Sequence, residues 1–378
     1  MSDKIKPIVM PKWGLAMTEG TLVAWHVAEG ATIAAGAEIA DIETTKITNV
    51  FESPVGGKVR RLCVGVGEVA PVGALLAVVT DNGVGDAEID AFIADFQEKF
   101  ATAQAEAVPT EIVRQFVETP MGKFRYVRMG QPKAVPIVLI HGFGSDIDSW
   151  LFVQEDLAAA DELIALDLPG HGGTTKEVGA GTVDVLAEGV AAALAGLGVE
   201  RAHLVGHSLG GAIALALALT RPGLVAGVSL IAPAALGAEI NAAFIDGFIT
   251  ANRRKTLIPV LADLVANRDL IGNDMAEAIL RFKRLDGAET ALRQIADACF
   301  KGGRQSIALG GPLDRITVPL TAIWGEADRI IPARHIDSLP ASGVRRVVPG
   351  VGHLPHMEAS AAVRDELLAA HRRVADRM

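Results

Sequence analysis

The octapeptide Leu204-Val205-Gly206-His207-Ser208-Leu209-Gly210-Gly211 constrains this chain more than any other stretch. It joins a short apolar run to the Ala/Leu-rich segment Ala212–Thr220 through a Gly-X-Ser-X-Gly turn. Small residues on both sides of a serine allow a tight strand-to-helix turn that lifts the hydroxyl above a sheet. A Cβ at position 206 or 210 would collide with a neighbouring strand or helix, which is why both are glycine. The pattern predicts an α/β sheet with Ser208 as a candidate nucleophile.

From about Glu111 onward the patterns of strand and helix alternate, as an α/β sheet requires. Strands are expected at Lys123–Met129, Pro136–His141, Leu163–Asp167, His203–Gly206, Leu224–Ile231, Leu320–Trp324 and Arg345–Pro349. Helices are expected at Ser149–Ala160, Thr182–Leu197 and Ser208–Thr220. His141-Gly142-Phe143-Gly144, Asp167-Leu168-Pro169-Gly170-His171-Gly172 and the Ser208 turn together resemble the α/β-hydrolase superfamily, over about Thr119 to the C-terminus. That resemblance implies a triad in the order Ser, acid, His. A serine hydroxyl is a poor nucleophile until a base takes its proton and an acid orients that base. Asp328 fits the acid, in the loop after the strand ending at Trp324; nearby Glu326 reads as a solvated loop residue. His353 fits the base, just past the last strand, while His356 reads as structural or pocket-lining. The oxyanion of acyl transfer needs two donors, assigned to the backbone N–H groups of Leu209 and Phe143. His141, Gly144 and His171 read as loop-shaping residues, and no cluster in the chain calls for a metal.

Between Ile231 and Leu320 lies an insertion, about 234–311, helical in pattern at Ile240–Ile249, Leu257–Ala266, Met275–Arg284 and Thr290–Phe300. Its position is that of a cap in the superfamily. Arg253, Arg254, Lys255, Arg281, Lys283 and Arg284 could receive the phosphates of a nucleotide-bearing thiol, or form a solvated surface balanced by neighbouring acids.

The first eighty residues contain an internal repeat. A shift of 37 positions lays Gly20 on Gly57, Gly30 on Gly67, Gly36 on Gly73 and Ile42 on Val79. Two copies of one β unit imply a small, pseudo-twofold, flattened β structure. The crossover Asp41–Thr48 would form a hairpin exposing Lys46 at its tip. Met10-Pro11-Lys12-Trp13-Gly14-Leu15, Glu43-Thr44-Thr45-Lys46 and Ser53-Pro54-Val55-Gly56-Gly57 resemble lipoyl domains of 2-oxo-acid dehydrogenase complexes. The resemblance covers nearly all of residues 4–80 and implies lipoate in amide linkage to Lys46; Thr45 stands where that family has aspartate. A biotinyl carrier would have methionines beside the lysine, and none is there. The plain alternative is an ordinary surface lysine.

After the turn-rich Asp81–Gly85 comes an acidic helix with one apolar stripe, Ile89, Phe92, Ile93, Phe96 and Phe100, running to about Ala107. It reads as a helix packed on the catalytic domain, or else as a docking helix for a partner or a second copy. The expected organisation is therefore 1–80 for the all-β lipoyl-type barrel, 81–110 for a helical linker and 111–378 for a capped α/β-hydrolase fold.

The chain has 378 residues, half of them hydrophobic, and a formal charge of −10. The acidic balance argues against nucleic acid and anionic membranes. The apolar run Leu209–Leu219 is far short of a bilayer span, and Met1-Ser2-Asp3-Lys4 begins no signal peptide. The expected location is cytoplasmic. Cys63 and Cys299 lie too far apart in sequence to suggest a disulfide framework.

The fusion of carrier and hydrolase-like domains resembles the dihydrolipoamide acetyltransferase components of bacterial acetoin dehydrogenase complexes. The resemblance implies lipoate on Lys46 as acetyl carrier and coenzyme A as acceptor. It further implies thiamine-diphosphate-dependent acetoin-cleaving subunits and a flavin dihydrolipoamide dehydrogenase as partners, with homo-oligomerisation in the complex. The His-X-X-X-Asp-Gly signature of pyruvate-type acetyltransferase cores is absent. Two other readings stand beside it: a thioesterase or esterase with an attached carrier, and a carrier-scaffold whose hydrolase-like domain mainly binds partners.

Overall fold

A computed structural model describes residues 5–11, 19–43, 48–81, 83–106, 113–306 and 312–378. Lys46, Thr45 and the stretch 12–18 of the lipoyl-like motif lie outside them. The chain divides into two units, Met1–Glu111 and Ile112–Met378.

In the first unit, β1 (Ile5–Val9), β2 (Glu19–Trp25), β3 (Thr32–Ile33) and β4 (Glu38–Glu43) are followed by β5 (Thr48–Glu52), β6 (Gly57–Leu62), β7 (Val69–Pro71) and β8 (Leu75–Thr80). The strands keep the sequence repeat: β2, β3 and β4 recur as β6, β7 and β8. They build two four-stranded sheets, β1-β8-β6-β3 and β5-β4-β2-β7, in which equivalent strands occupy equivalent places. The repeated glycines are explained by their backbone. Gly30 and Gly67 have φ of +91° and +87°, and Gly36 and Gly73 have +82° and +84°, turn conformations that a side chain disfavours. Ile8, Leu22, Ile39, Ile42, Leu76 and Val79 fill the space between the sheets.

The helix α1 (Asp86–Glu106) packs on this first unit, so its apolar stripe is not given to the catalytic domain. Ile89 is fully buried, with Phe92, Ile93 and Phe96 beside it, against Ile5, Cys63, Leu75 and Val78. The reason is local. Strand β8 is buried along its whole length, so Leu75 and Val78 offer an apolar surface only a short turn before the helix starts. Arg60 fixes the entry, donating to Val84 O at 2.9 Å and to Asp86 at 2.7 Å. Covering Ile89 alone contributes about 2 kcal/mol.

The second unit begins with β9 (Gln115–Thr119), an edge strand that the sequence pattern did not announce, and β10 (Gly122–Met129). Then come β11 (Ile137–Ile140), α2 (Gln154–Ala160), β12 (Leu163–Leu166), α3 (Val183–Gly196), β13 (Ala202–His207), α4 (Leu209–Thr220) and β14 (Val225–Ile231). The insertion follows as α5 (Ala242–Thr250), α6 (Arg254–Leu261), α7 (Asn273–Lys283) and α8 (Ala288–Cys299). The fold closes with β15 (Leu320–Gly325), β16 (Val344–Val348), α9 (Pro355–Glu358) and α10 (Ser360–Ala375). Its eight-stranded sheet has the order β16-β15-β14-β13-β11-β12-β10-β9, parallel except where β10 meets β12 and β9. Helices α3 and α4 and the cap share one apolar core; α2 and α10 pack in another on the opposite face. Parallel strands buried on both faces tend to be continuous apolar runs, and β11 (Ile137-Val138-Leu139-Ile140) and β12 (Leu163-Ile164-Ala165-Leu166) are. Among the described residues no helix is long and apolar enough to cross a membrane.

Candidate active site

Ser208 stands between β13 and α4 at φ +50° and ψ −115°, a strained conformation for a residue with a side chain. The glycines beside it make the turn possible. A Cβ on Gly206 would lie 2.3 Å from Gly210 O, and one on Gly210 would lie 2.1 Å from Ile140 O. The turn is locked from both sides of the nucleophile: Ser208 N donates to Ile231 O at 3.0 Å, and Ala234 N donates to Ser208 O at 2.9 Å.

Asp328 and His353 meet although 25 residues separate them. His353 Nδ1 lies 2.7 Å from Asp328 Oδ2, and neither side chain is more than 3% exposed. The other carboxylate oxygen accepts from Ile330 N at 2.8 Å and Ile331 N at 3.0 Å, and Trp324 Nε1 donates to Oδ2 at 3.0 Å. These donors aim the carboxylate at the imidazole. Gly325 lets the histidine loop come close, since a Cβ there would lie 2.0 Å from Gly352 O. The histidine side is tied to the turn: His207, next to Ser208, places its Nε2 2.9 Å from His353 O, with ring centroids 4.9 Å apart. Glu358 completes the frame, accepting from Gly352 N and from Ala266 N, both at 2.7 Å. Glu326 is exposed and accepts from Gly350 N; His356 is buried against Trp150 and His207.

The His-Gly-Phe-Gly loop lies directly beside the serine, where a Cβ on Gly142 would be 3.1 Å from Ser208 Cβ. Two buried histidines shape it. His141 Nε2 accepts from Leu168 N at 2.9 Å, and His171 Nε2 accepts from Gly144 N at 3.0 Å. Both rings therefore carry their proton on Nδ1, which lies 2.8 Å from Gly142 O and 3.0 Å from Pro169 O respectively. Burial keeps both neutral, pushing His171 down to about 3. Beneath them Asp167 accepts from Ile147 N at 2.9 Å, from Gly173 N at 2.7 Å and from Arg125 Nε. Burial raises that carboxyl, but the Arg125 guanidinium and the Gly173 N–H outweigh it and hold it below the usual range. Among the described residues the N–H groups of Phe143 and Leu209 donate to no protein acceptor. They are thus available to a negative charge forming above Ser208.

Of the cap's basic residues, Lys283 is committed elsewhere. Its Nζ donates to Phe248 O at 2.6 Å and Ile249 O at 3.0 Å, and Arg254 pairs with Glu277 at 3.2 Å. A free phosphate-binding role for these two does not fit. Sequence reasoning passed over Trp324, read there as the end of an apolar strand, and did not single out Glu358. Nothing in their spacing marks them.

In the first unit β4 and β5 pair antiparallel as far as Glu43↔Thr48. Lys46 is the third of the four residues joining those two positions. A lysine in the connection between the two repeats suits amide attachment of a lipoyl group.

A family model described as alpha/beta hydrolase fold matches residues 135–360, and one described as biotin-requiring enzyme matches residues 6–79. The chain is 42% identical to the dihydrolipoyllysine-residue acetyltransferase component of the acetoin cleaving system of Pseudomonas putida, over 97% of this chain and 98% of that protein. It is 40% identical to the protein so named in Cupriavidus necator, over 95% of each. Among solved structures, the second unit resembles a 2-hydroxy-6-oxo-6-phenylhexa-2,4-dienoate hydrolase of a Rhodococcus species. The TM-score is 0.62 at 22% identity, covering 69% of this chain and 99% of that one, which is a likeness of fold.

Proposed function

The chain belongs to the family of dihydrolipoyllysine-residue acetyltransferase components of acetoin cleaving systems, and on that footing we propose that it passes acetyl groups from a lipoyl thioester to coenzyme A through Ser208, His353 and Asp328. The observation that carries the triad is the buried 2.7 Å contact of His353 with Asp328 beside the strained Ser208 turn. When bound in amide linkage to Lys46, lipoate supplies a thiol that holds acetyl as a thioester.

His353, oriented by Asp328, takes the Ser208 proton on Nε2 as Oγ bonds to the thioester carbonyl carbon. The carbonyl electron pair moves onto oxygen, where the N–H groups of Phe143 and Leu209 hold it. As the pair returns, His353 would give its proton to the departing sulfur as the carbon–sulfur bond breaks, and Ser208 would be left acetylated. Coenzyme A then gives its thiol proton to His353 and attacks that ester, and the same steps run in reverse to release Ser208. Transfer to a thiol wins over hydrolysis only where water is kept out.

The protein works as one component of a multienzyme system. Thiamine-diphosphate-dependent acetoin-cleaving subunits would load the arm, and a flavin dihydrolipoamide dehydrogenase would reoxidise it. Homo-oligomers would gather many arms in one assembly and raise the local concentration of carried acetyl.

Lipoylated protein carrying acetyl on its reduced arm tests this reading, with acetyl-coenzyme A and free acetate followed together. Ser208→Ala should lower acetyl-coenzyme A formation by at least about 10³-fold. Free acetate at an unchanged rate with or without coenzyme A would make the protein a hydrolase instead. Lys46→Arg should remove the lipoyl mass increment and all self-acylation.

A further inference from the structure

The residue proposed to stabilise the oxyanion is held mainly by the cap. The Phe143 ring meets Phe248 of α5 and Phe300 at the end of α8, each with centroids 5.8 Å away, at interplanar angles of 60° and 81°. Its remaining ring contact, His171 at 6.0 Å and 81°, comes from the loop that supports Gly144 from below. All three are edge-on arrangements of the kind aromatic quadrupoles favour. Phe248 is 2% exposed and Phe300 4%.

The cap ring also occupies the loop's own space. Gly144 has φ +75°, and a Cβ on it would lie 2.3 Å from Phe248 Cζ. The second glycine of His-Gly-Phe-Gly is therefore required by the cap as well as by its backbone. Lys283 of α7 anchors the helix that presents Phe248, through the carbonyls of Phe248 and Ile249. At the far side of the site the cap holds the base: His353 N donates to Leu264 O at 2.7 Å.

We propose that Phe248 and Phe300 are positioning residues for acyl transfer. They fix the Phe143 ring so that its backbone N–H points at the developing oxyanion, and the oxyanion hole is complete only while the cap is seated. The inference rests on the triad reading above and adds that the cap acts on the transition state, through Phe143, more than on substrate binding. An oxyanion donor must sit within a few tenths of an ångström of its place to work.

The test uses full-length lipoylated protein with Phe248→Ala, Phe300→Ala, Phe248→Leu and Phe300→Leu. The readouts are kcat and KM for acetyl transfer and the inhibition constant of methylboronic acid. Boron takes an electron pair from Ser208 Oγ, whose proton passes to His353, and the tetrahedral adduct sets an oxygen in the hole. Each alanine variant should lose about 10–100-fold in kcat, part of the 10²–10³ that an oxyanion donor contributes. Methylboronic acid should weaken by the same factor while KM stays within about two-fold. The leucine variants, which keep an apolar body against Phe143, should recover most of both; they also carry the test where an alanine variant does not fold. A rise in KM without loss of boronate affinity would overturn the proposal and make the cap a binding element. Normal kinetics in all four variants, with Ser208→Ala inactive, would overturn it while the triad stands. Full transfer by Ser208→Ala would remove the triad and this inference together.

Discussion

The second unit contains two buried assemblies of the same three residue types. One is Ser208, His353 and Asp328. The other is a chain through Ser229, His203, His371 and Asp161. His203 Nε2 lies 2.9 Å from Ser229 Oγ, the two imidazoles meet Nδ1 to Nδ1 at 3.3 Å, and His371 Nε2 lies 3.2 Å from Asp161 Oδ2. Its contacts run unbroken from serine to carboxylate, as those of a catalytic triad would. The differences are in the backbone around each serine. Ser229 is wholly buried inside β14, whereas Ser208 is strained at the strand-to-helix turn beside two N–H groups that donate to no acceptor among the described residues. His203 sits near the start of β13 and Ser208 just past its end. Ligands of open α/β sheets bind outside the carboxyl ends of the strands, and only the first assembly is there. On the reading proposed above, Ser, His and Asp side by side do not make a catalytic site; a place at the carboxyl ends of the strands, with donors for an oxyanion, does.

Exchanging the carboxylates should separate the two most sharply. Asp328→Asn should lower kcat by about 10³–10⁴-fold with little change in secondary structure, because His353 loses the partner that sets its tautomer. Asp161→Asn should leave kcat within about two-fold and cost about 1–3 kcal/mol in urea unfolding. Its carboxylate accepts from Lys133 N at 2.8 Å and Ala134 N at 2.9 Å, and those amides would lose a charged acceptor. A collapse of kcat in Asp161→Asn would give the inner chain a part in the chemistry.

A smaller effect should appear in acid. Burial, aided by His371 and Arg373, holds His203 down to about 3, below the unfolded value near 6.5. Above pH 6.5 neither state binds the proton. Below it the unfolded chain takes up a proton that the folded chain refuses, so stability falls as pH falls, by about 1.4 kcal/mol per unit for each such histidine. His171 and His356 are held at about 3 by burial in the same way. His203→Gln should reduce the slope of unfolding free energy between pH 6 and pH 4 by one such increment. An unchanged slope would mean that the inner chain accepts protons while folded. Ser229→Ala should show the smallest change, about 1 kcal/mol in stability with kcat unaltered.

Much of this was legible in the chain because it is written in local rules. The 37-residue step of glycines fixed the first unit, since a left-handed turn excludes side chains wherever it recurs. Gly-X-Ser-X-Gly fixed the turn at Ser208, since two backbones there approach within the radius of a methyl group. Strand patterns placed Asp328 and His353 in loops after β15 and β16, and the four cap helices fell within a few residues of their predicted places. Tertiary structure decided what no spacing encodes. The stripe of α1 could suit any apolar surface, and β8 takes it because it is close in the chain and presents Leu75 and Val78 to it. Phe248 and Phe300 look like core residues of amphipathic helices, and only the seating of the cap turns them toward Phe143. Which of two Ser-His-Asp groupings lies at the carboxyl ends of the strands was likewise left to the sheet, since a side chain carries its chemistry from the sequence but gets its access to substrate from the packing around it.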